Sequence, residues 1–298
     1  MEGVKIRGVV INKIQGFYYV KSEEQVYECK LRGILKRKDD KQNCVVGDIV
    51  EISEDNAIIK VEKRKNLVER PLVANIDYLV IQFAGKDPAI DYERLNILIL
   101  RSFYYKITPI VVINKIDLLT NEEIEDVKKN LEFLNKLNIK YFLVSEKANI
   151  GIDDLKAYIK DKITAFGGPS GVGKSSIINL LQSAKKLETG ETSKKLKRGK
   201  HTTKDTNLLP LKDGGYIIDT PGFSSIELPE IKNVQELIEL FPEFKVEESC
   251  KFNNCLHLNE PNCAIKNSVE QGVISQTRYE FYKRIYEKLK NERWNKYE

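Results

Sequence analysis

The sequence predicts a chain of three parts: an N-terminal β-barrel of the OB type, a central α/β unit with a parallel sheet, and a mainly helical, metal-holding C-terminal part. Three observations carry this expectation. Short alternating runs fill the first 70 or so residues. Apolar strands then alternate with helical patterns and run into a glycine-rich loop, "GGPSGVGKSS", at 167–176. Three of the five cysteines fall between Cys250 and Cys263. We set the parts at 1–70, 71–226 and 227–298. A length of 298 residues suits two or three cores better than one.

The N-terminal runs alternate in the manner of short strands. Val4, Ile6, Gly8 and Val10 form one, Tyr18 and Val20 a second, and Tyr27, Cys29 and Leu31 a third. "VGDIVEI" (46–52) and "AIIKVEK" (57–63) complete a set of five, which fits a small barrel. "KLRGILKRKDDK" (30–41) reads as a basic loop, either a solvated surface or a contact for nucleic-acid backbone. Cys29 and Cys44 read as packing residues.

From residue 71 the period changes. "IDYLVIQFA" (76–84) is a continuous apolar strand, and 92–105 has helical spacing. A buried strand over 107–115, a helix over 121–137, a strand over 139–145, a helix over 151–160 and a strand over 163–168 follow. Such alternation argues for a parallel sheet covered on both faces.

Gly168, Gly173, Lys174 and Ser175 fit G-x-x-x-x-G-K-[ST], after a strand and before an amphipathic helix carrying Ile177, Ile178, Leu180 and Leu181. Glycines at 168, 171 and 173 let the backbone aim N–H groups at phosphate oxygens. The loop Gly168, Pro169, Ser170, Gly171, Val172, Gly173, Lys174, Ser175, Ser176 is the candidate phosphate site. Lys174 is placed for the β- and γ-phosphates and Ser175 for Mg²⁺.

The loop leaves the base undecided; Asn114, Lys115, Ile116 and Asp117 decide it. An aspartate at a strand end accepts from both N1–H and the 2-amino group of guanine, a donor pair adenine lacks. Asn114 would tie this turn to the base and the phosphate loop, and the Lys115 stem would lie over the ring. "VSEK" (144–147) resembles a backing turn, with Glu146 where alanine is usual. "DTPG" (219–222) places Asp219 to hold a water on Mg²⁺ and the Gly222 N–H to sense the γ-phosphate. Between them "GKHTTKDT" (199–206) offers Thr202 or Thr203 to complete the magnesium shell.

Guanine reader, backing turn, phosphate loop, switch and DTPG thus occur in the order of a GTPase domain that has been cut and rejoined, a circular permutation. A P-loop kinase is opposed by NKID. An RNA-binding scaffold that needs GTP but barely hydrolyses it stays open. Cys250, Cys255, His257 and Cys263 follow C-x4-C-x-H-x5-C, a closed set of three thiolates and one imidazole for a structural Zn²⁺, one per chain.

In "NLVERP", "VANID", "NKIDL", "GPSGVGKSS", "RGKHTT", "DTPGF", "FPEF", "RYEFY" and the cysteine pattern, nearly the whole chain resembles the ribosome small-subunit-dependent GTPase A family. The resemblance implies an OB-fold, a permuted GTPase domain and a zinc domain. It implies GTP hydrolysis stimulated by the 30S subunit, contact with its 16S rRNA, and action late in subunit assembly. Phe223 stands where many GTPases hold a water-orienting glutamine, and the family pattern suggests His201 as the catalytic substitute beside Lys174, Thr202 and Thr203. Pro169 and Lys204 depart from the residues common there, at positions the phosphate and metal contacts do not need.

Composition agrees with a folded chain: 41% apolar, 31% charged, net charge +5. That charge is compatible with RNA without requiring it. No run approaches the roughly 18 apolar residues of a membrane span, the first ten residues lack a leader pattern, and the cysteines do not form a disulfide framework. We expect a cytoplasmic monomer that binds GTP or GDP and no membrane.

Overall fold

The computed structural model describes residues 5–35, 43–182, 206–218, 221–225, 227–292 and 294. His201, Thr202, Thr203 and Asp219, the basic run 194–204 and residues 36–41 of the barrel loop lie outside them.

Alternation closes the first five strands into a barrel. They are β1 (Ile6–Ile14), β2 (Phe17–Ser22), β3 (Gln25–Leu31), β4 (Ile49–Ile52) and β5 (Ala57–Val61). Their order around the barrel is β1-β2-β3-β5-β4, and β1 closes on β4. Gln15 and Gly16, both with positive φ, turn β1 into β2, as a two-residue hairpin requires. The register slips between Val10 and Asn12; such a bulge lets one strand bend between two neighbours. Val10, Val20, Cys29, Cys44, Val50 and Ile58 fill the interior with no exposed surface. Cys29 and Cys44 are therefore packing residues, as expected. Lys30 and Leu31, read as the start of the basic loop, belong to β3.

A hairpin of β6 (Leu67–Glu69) and β7 (Leu72–Ala74), which the sequence pattern does not announce, bolts the barrel to the central sheet. Asn66 makes paired hydrogen bonds with the backbone of Ile76, and Asn75 Nδ2 donates to the Gly47 carbonyl at 2.9 Å. The buried Asp48 carboxylate receives Arg64 through Nε at 2.6 Å and Nη2 at 2.8 Å.

The central sheet contains β8 (Tyr78–Ala84), β9 (Thr108–Asn114), β10 (Lys140–Leu143), β11 (Ile163–Gly167), β12 (Leu208–Pro210) and β13 (Tyr216–Ile218). Their order is β10-β9-β8-β11-β13-β12, parallel except for β12. β8 is the first strand of the unit yet sits at its centre, against β11, the last strand before the glycine loop. Among the described residues, helices α1 (Tyr92–Tyr104), α2 (Asn121–Asn130), α3 (Phe133–Lys136), α4 (Ile152–Ile159) and α5 (Lys174–Leu181) accompany these strands. The helix expected over 121–137 is divided. Leu131, Phe133 and Leu134 all turn into the core; residues two apart cannot share one α-helical face, so α2 stops at Asn130.

The C-terminal part holds α6 (Val234–Glu239), α7 (Ala264–Glu270) and α8 (Gln276–Glu292). Tyr279, Phe281, Tyr282, Ile285 and Leu289 make the apolar stripe of α8, packed with Phe241, Phe244 and Leu100 of α1. Within this interface Arg278 is 1% exposed. Its Nε donates to Glu243 at 2.7 Å, its Nη1 to Asn96 of α1 at 2.9 Å, and its guanidinium lies over the Phe241 ring. Arg284 pairs with Glu93 nearby, but both side chains are about half exposed, and such a pair contributes under about 1 kcal/mol. Among the described residues no helix is long and apolar enough to cross a membrane.

Burial makes Arg278 decisive. Arg278→Ala strands the Glu243 carboxylate and should cost about 3–5 kcal/mol. The double change Arg278→Leu with Glu243→Leu should recover most of that loss, read as the shift in thermal or urea unfolding.

Candidate functional site

Parallel strands point their carboxyl ends at one edge, where open α/β sheets hold ligands. Here β8 delivers Gly85–Pro88, β9 delivers Asn114–Asp117, β10 delivers Ser145, and β11 delivers the glycine loop. Segments distant in the chain thus meet in one place.

The loop is shaped by what lies beneath it. Gly168 has φ +136°, and a Cβ there would come within 2.0 Å of the Gln82 carbonyl oxygen. Gly173 has φ +88°, and a Cβ there would lie 2.4 Å from Asn114 Nδ2. Val172 is fully buried, whereas Ser170 and Gly171 are exposed. Lys174 opens α5, and its Nζ donates back to the carbonyls of Gly168 at 2.9 Å and Pro169 at 2.6 Å. Burial holds the Lys174 pKa below its ordinary value, and the charge of Arg94 adds to the effect. Ser175 is exposed on the first turn beside it, and Ser176 is half-buried.

Asn114 ties the site together. Its Nδ2 donates to the Val172 carbonyl at 3.1 Å, and its Oδ1 accepts from Glu146 N at 3.2 Å. The expected link between the NKID turn and the glycine loop is therefore made by one buried amide. Lys115 is in the left-handed region, φ +60°, and its Nζ donates to the Asp87 carbonyl at 2.6 Å. Ile116 and Asp117 begin the short 3-10 turn Ile116–Leu118. Sequence reasoning placed Ser145 in the backing turn VSEK but gave its side chain no role; its hydroxyl donates to Asp117 Oδ1 at 2.6 Å and accepts from Ala148 N at 3.0 Å. A serine ending the strand after the NKID strand was the available signal.

On the far side of the loop, Pro221–Ser224 forms a 3-10 turn. A Cβ on Gly222 would strike the Pro71 ring at 2.6 Å. Phe223 is 4% exposed and packs in the sheet core, so it cannot orient a water. The segment beyond hangs on α1: Arg94 donates to the Ser224 carbonyl, Arg101 to those of Ser225 and Glu227, and Tyr104 to that of Glu230.

A second site lies in the C-terminal part. The ligand atoms of Cys250, Cys255, His257 and Cys263 all lie within 4.8 Å of one another. Cys250 Sγ is 3.6 Å from His257 Nδ1 and 3.9 Å from Cys263 Sγ, and His257 Nδ1 is 3.4 Å from Cys263 Sγ. Metal bonds of about 2.3 Å to sulfur and 2.1 Å to nitrogen give tetrahedral edges of about 3.8 and 3.6 Å, so the set fits a four-coordinate metal. Burial pushes the Cys255 thiol up to about 12 and holds the His257 imidazole down. The first favours a thiol that only a cation makes ionise; the second favours the neutral, ligating imidazole. Glu260 accepts from Leu256 N and Leu258 N, while Tyr279 and Tyr282 donate to the carbonyls of His257 and Leu256. These bonds fix the loop that carries the ligands, as outer partners do in metal sites.

Metal analysis of the purified chain should find one ion per chain, and Cys255→Ala should lose it and lower the melting temperature of the C-terminal part. Full metal content in that variant would refute the four-ligand centre.

Comparison with known proteins follows the same lines. The family model described as RsgA GTPase matches residues 53–229, and that described as RsgA N-terminal domain matches 7–58. The small ribosomal subunit biogenesis GTPase RsgA of Fusobacterium nucleatum is 61% identical, over 96% of this chain and 100% of that protein. The protein of the same name from Caldanaerobacter subterraneus is 42% identical, over 98% and 99%. Among solved structures, YjeQ from Thermotoga maritima superposes with TM-score 0.82 at 32% identity, covering 97% of this chain and 100% of that one. YloQ, described as a circularly permuted GTPase, gives TM-score 0.80 at 31% identity, over 97% and 96%. With its closed N-terminal OB-type barrel, permuted sheet order and cysteine–histidine cluster, the chain belongs to the RsgA GTPase family.

Proposed function

We propose that the chain is a GTP phosphohydrolase that acts in biogenesis of the small (30S) ribosomal subunit, with hydrolysis late in assembly and stimulated by the subunit. The observation that carries this is the Asn114 amide, which joins the NKID turn to the glycine loop and so makes one pocket for a base and its phosphates. In this pocket Asp117 accepts from guanine, held by Ser145. Lys115 and Ile116 flank the base. Backbone N–H groups over Gly168–Gly173 and the Lys174 ammonium receive the phosphates. Gly222 and Asp219 report the γ-phosphate and its metal. The exposed hydroxyl of Ser175 beside Lys174 is a hard oxygen donor that suits Mg²⁺, which neutralises phosphate charge when bound. Because Phe223 is core, the water-orienting role falls to a side chain of the switch, and His201 with Thr202 or Thr203 is our assignment. The thiolate-rich donor set favours zinc in the C-terminal centre.

In this reading the middle part (71–226) turns over nucleotide, while the barrel part (1–70) and the metal part (227–298) meet 16S rRNA. The chain works as a monomer in the cytoplasm, and its affinity for RNA falls with salt.

Phosphate release from GTP and ATP, with and without 30S subunits, tests the reading. GTP turnover should rise with subunits and ATP turnover stay at background; no stimulation would favour a scaffold. Asp117→Asn should shift preference towards xanthosine triphosphate, since one donor–acceptor pair is reversed. His201→Ala should lower subunit-stimulated turnover by about 10²-fold or more with nucleotide affinity held; equal turnover would remove His201 from the mechanism.

A further inference from the structure

The proposed pocket contains a buried polar side chain that the motifs do not mention. Gln82 lies in β8 among Leu79, Val80, Ile81 and Phe83 and has no exposed surface. A central strand covered on both faces has no general use for an amide. Its main chain pairs with Val112 of β9. Its carbonyl oxygen lies under Gly168, close enough to forbid a Cβ there. Its Nε2 donates to the Val172 carbonyl at 2.9 Å, the same oxygen that accepts Asn114 Nδ2.

Two donors fill both lone pairs of that oxygen. The Gln82 amide cannot be turned over, because Oε1 would then face the Val172 oxygen. Oε1 is left buried with no hydrogen-bond partner among the described residues, an arrangement packing alone does not favour. The peptide from Val172 to Gly173 is planar and trans, so its C=O and the Gly173 N–H point in opposite directions. Holding the oxygen down towards β8 and β9 therefore turns the Gly173 N–H up, away from the floor.

We infer that Gln82 is a positioning residue for nucleotide: with Asn114 it anchors the Val172 carbonyl and thereby aims the Gly173 N–H at the phosphates. Gln82 does not touch the ligand, and the inference rests on the reading of this pocket as a guanine-nucleotide site.

The test is a mutant cycle on the full chain, read by the Kd of GDP and of GTP and by thermal unfolding. Gln82→Leu removes one donor and one unpaired acceptor. It should raise both Kd values about fivefold, the size of one hydrogen bond, without lowering the melting temperature. Gln82→Met, closer in length, should do the same and serves if the leucine variant folds poorly. Combined with Asn114→Ala, the change should cost more than the product of the two single losses, because the second removal leaves the oxygen with no partner. Unchanged Kd in both Gln82 variants, or losses that simply multiply, would overturn the inference. Wild-type chain that fails to bind GDP would instead overturn the function itself, so the two failures are distinct.

Discussion

The Val172 carbonyl is the point on which the proposed nucleotide site depends. It belongs to a loop that is exposed at Ser170 and Gly171 and has no ladder of its own. The oxygen is buried and must be paired, and its donors come from β8 and β9 rather than from neighbours in sequence. Gly173 is obligatory for the same reason, since any side chain there would displace the Asn114 amide. The NKID turn and the glycine loop are therefore one mechanical unit. Asn114 also accepts from Glu146, so the backing turn joins that unit, and Ser145 holds the Asp117 carboxylate from the same strand end.

Helix α1 carries the consequence outwards. On one side it donates from Arg94, Arg101 and Tyr104 to four carbonyls between Ser224 and Glu230. On another it accepts the buried Arg278 through Asn96. Bonds from charged donors to backbone oxygen are stronger than neutral ones, and those from Arg94 to Ser224 and from Arg101 to Ser225 are part-buried. The connector between the glycine-loop side and the metal centre is thus held by side chains of a helix that precedes both in the chain. Arg94 acts at two points, bonding Ser224 and lowering the Lys174 pKa. A change at the glycine loop and a change in the connector act on the same guanidinium.

Much of this architecture is legible in the amino-acid sequence alone. Continuous apolar strands such as 76–84 and 107–115 announce themselves because a strand buried on both faces admits few polar residues. The glycine loop, NKID and the cysteine–histidine spacing are local patterns whose chemistry fixes their form. What is illegible there is non-local or short. The hairpin β6–β7 has three residues per strand, too few for a period. Its role depends on Asn66 and Asn75 bonding to backbone that no sequence window contains. The break in the helix over 121–137 follows from Phe133 choosing the core over the helical face. Gln82 looks like an interruption of an apolar strand until the loop 90 residues later arrives above it.

Chain order explains why the metal centre stands where it does. In this permuted arrangement the strands on one side of β11, namely β8, β9 and β10, precede it in the chain instead of following it. The stretch after Gly222 can then no longer return into the sheet to be fixed by ladder bonds. Phe223 anchors its first residue in the core, and its carbonyl sits where a Cβ on Gly167 would lie. Beyond that point the backbone has carbonyls but few partners, and α1 supplies them. The C-terminal part that follows has a modest aromatic core built largely on α8. Cys250–Cys263, a stretch that no helix or strand traverses, gathers four ligand atoms that would hold a metal, and Tyr279 and Tyr282 weld it to α8. A metal held by these four residues would do for the last part what the ladder does for the sheet.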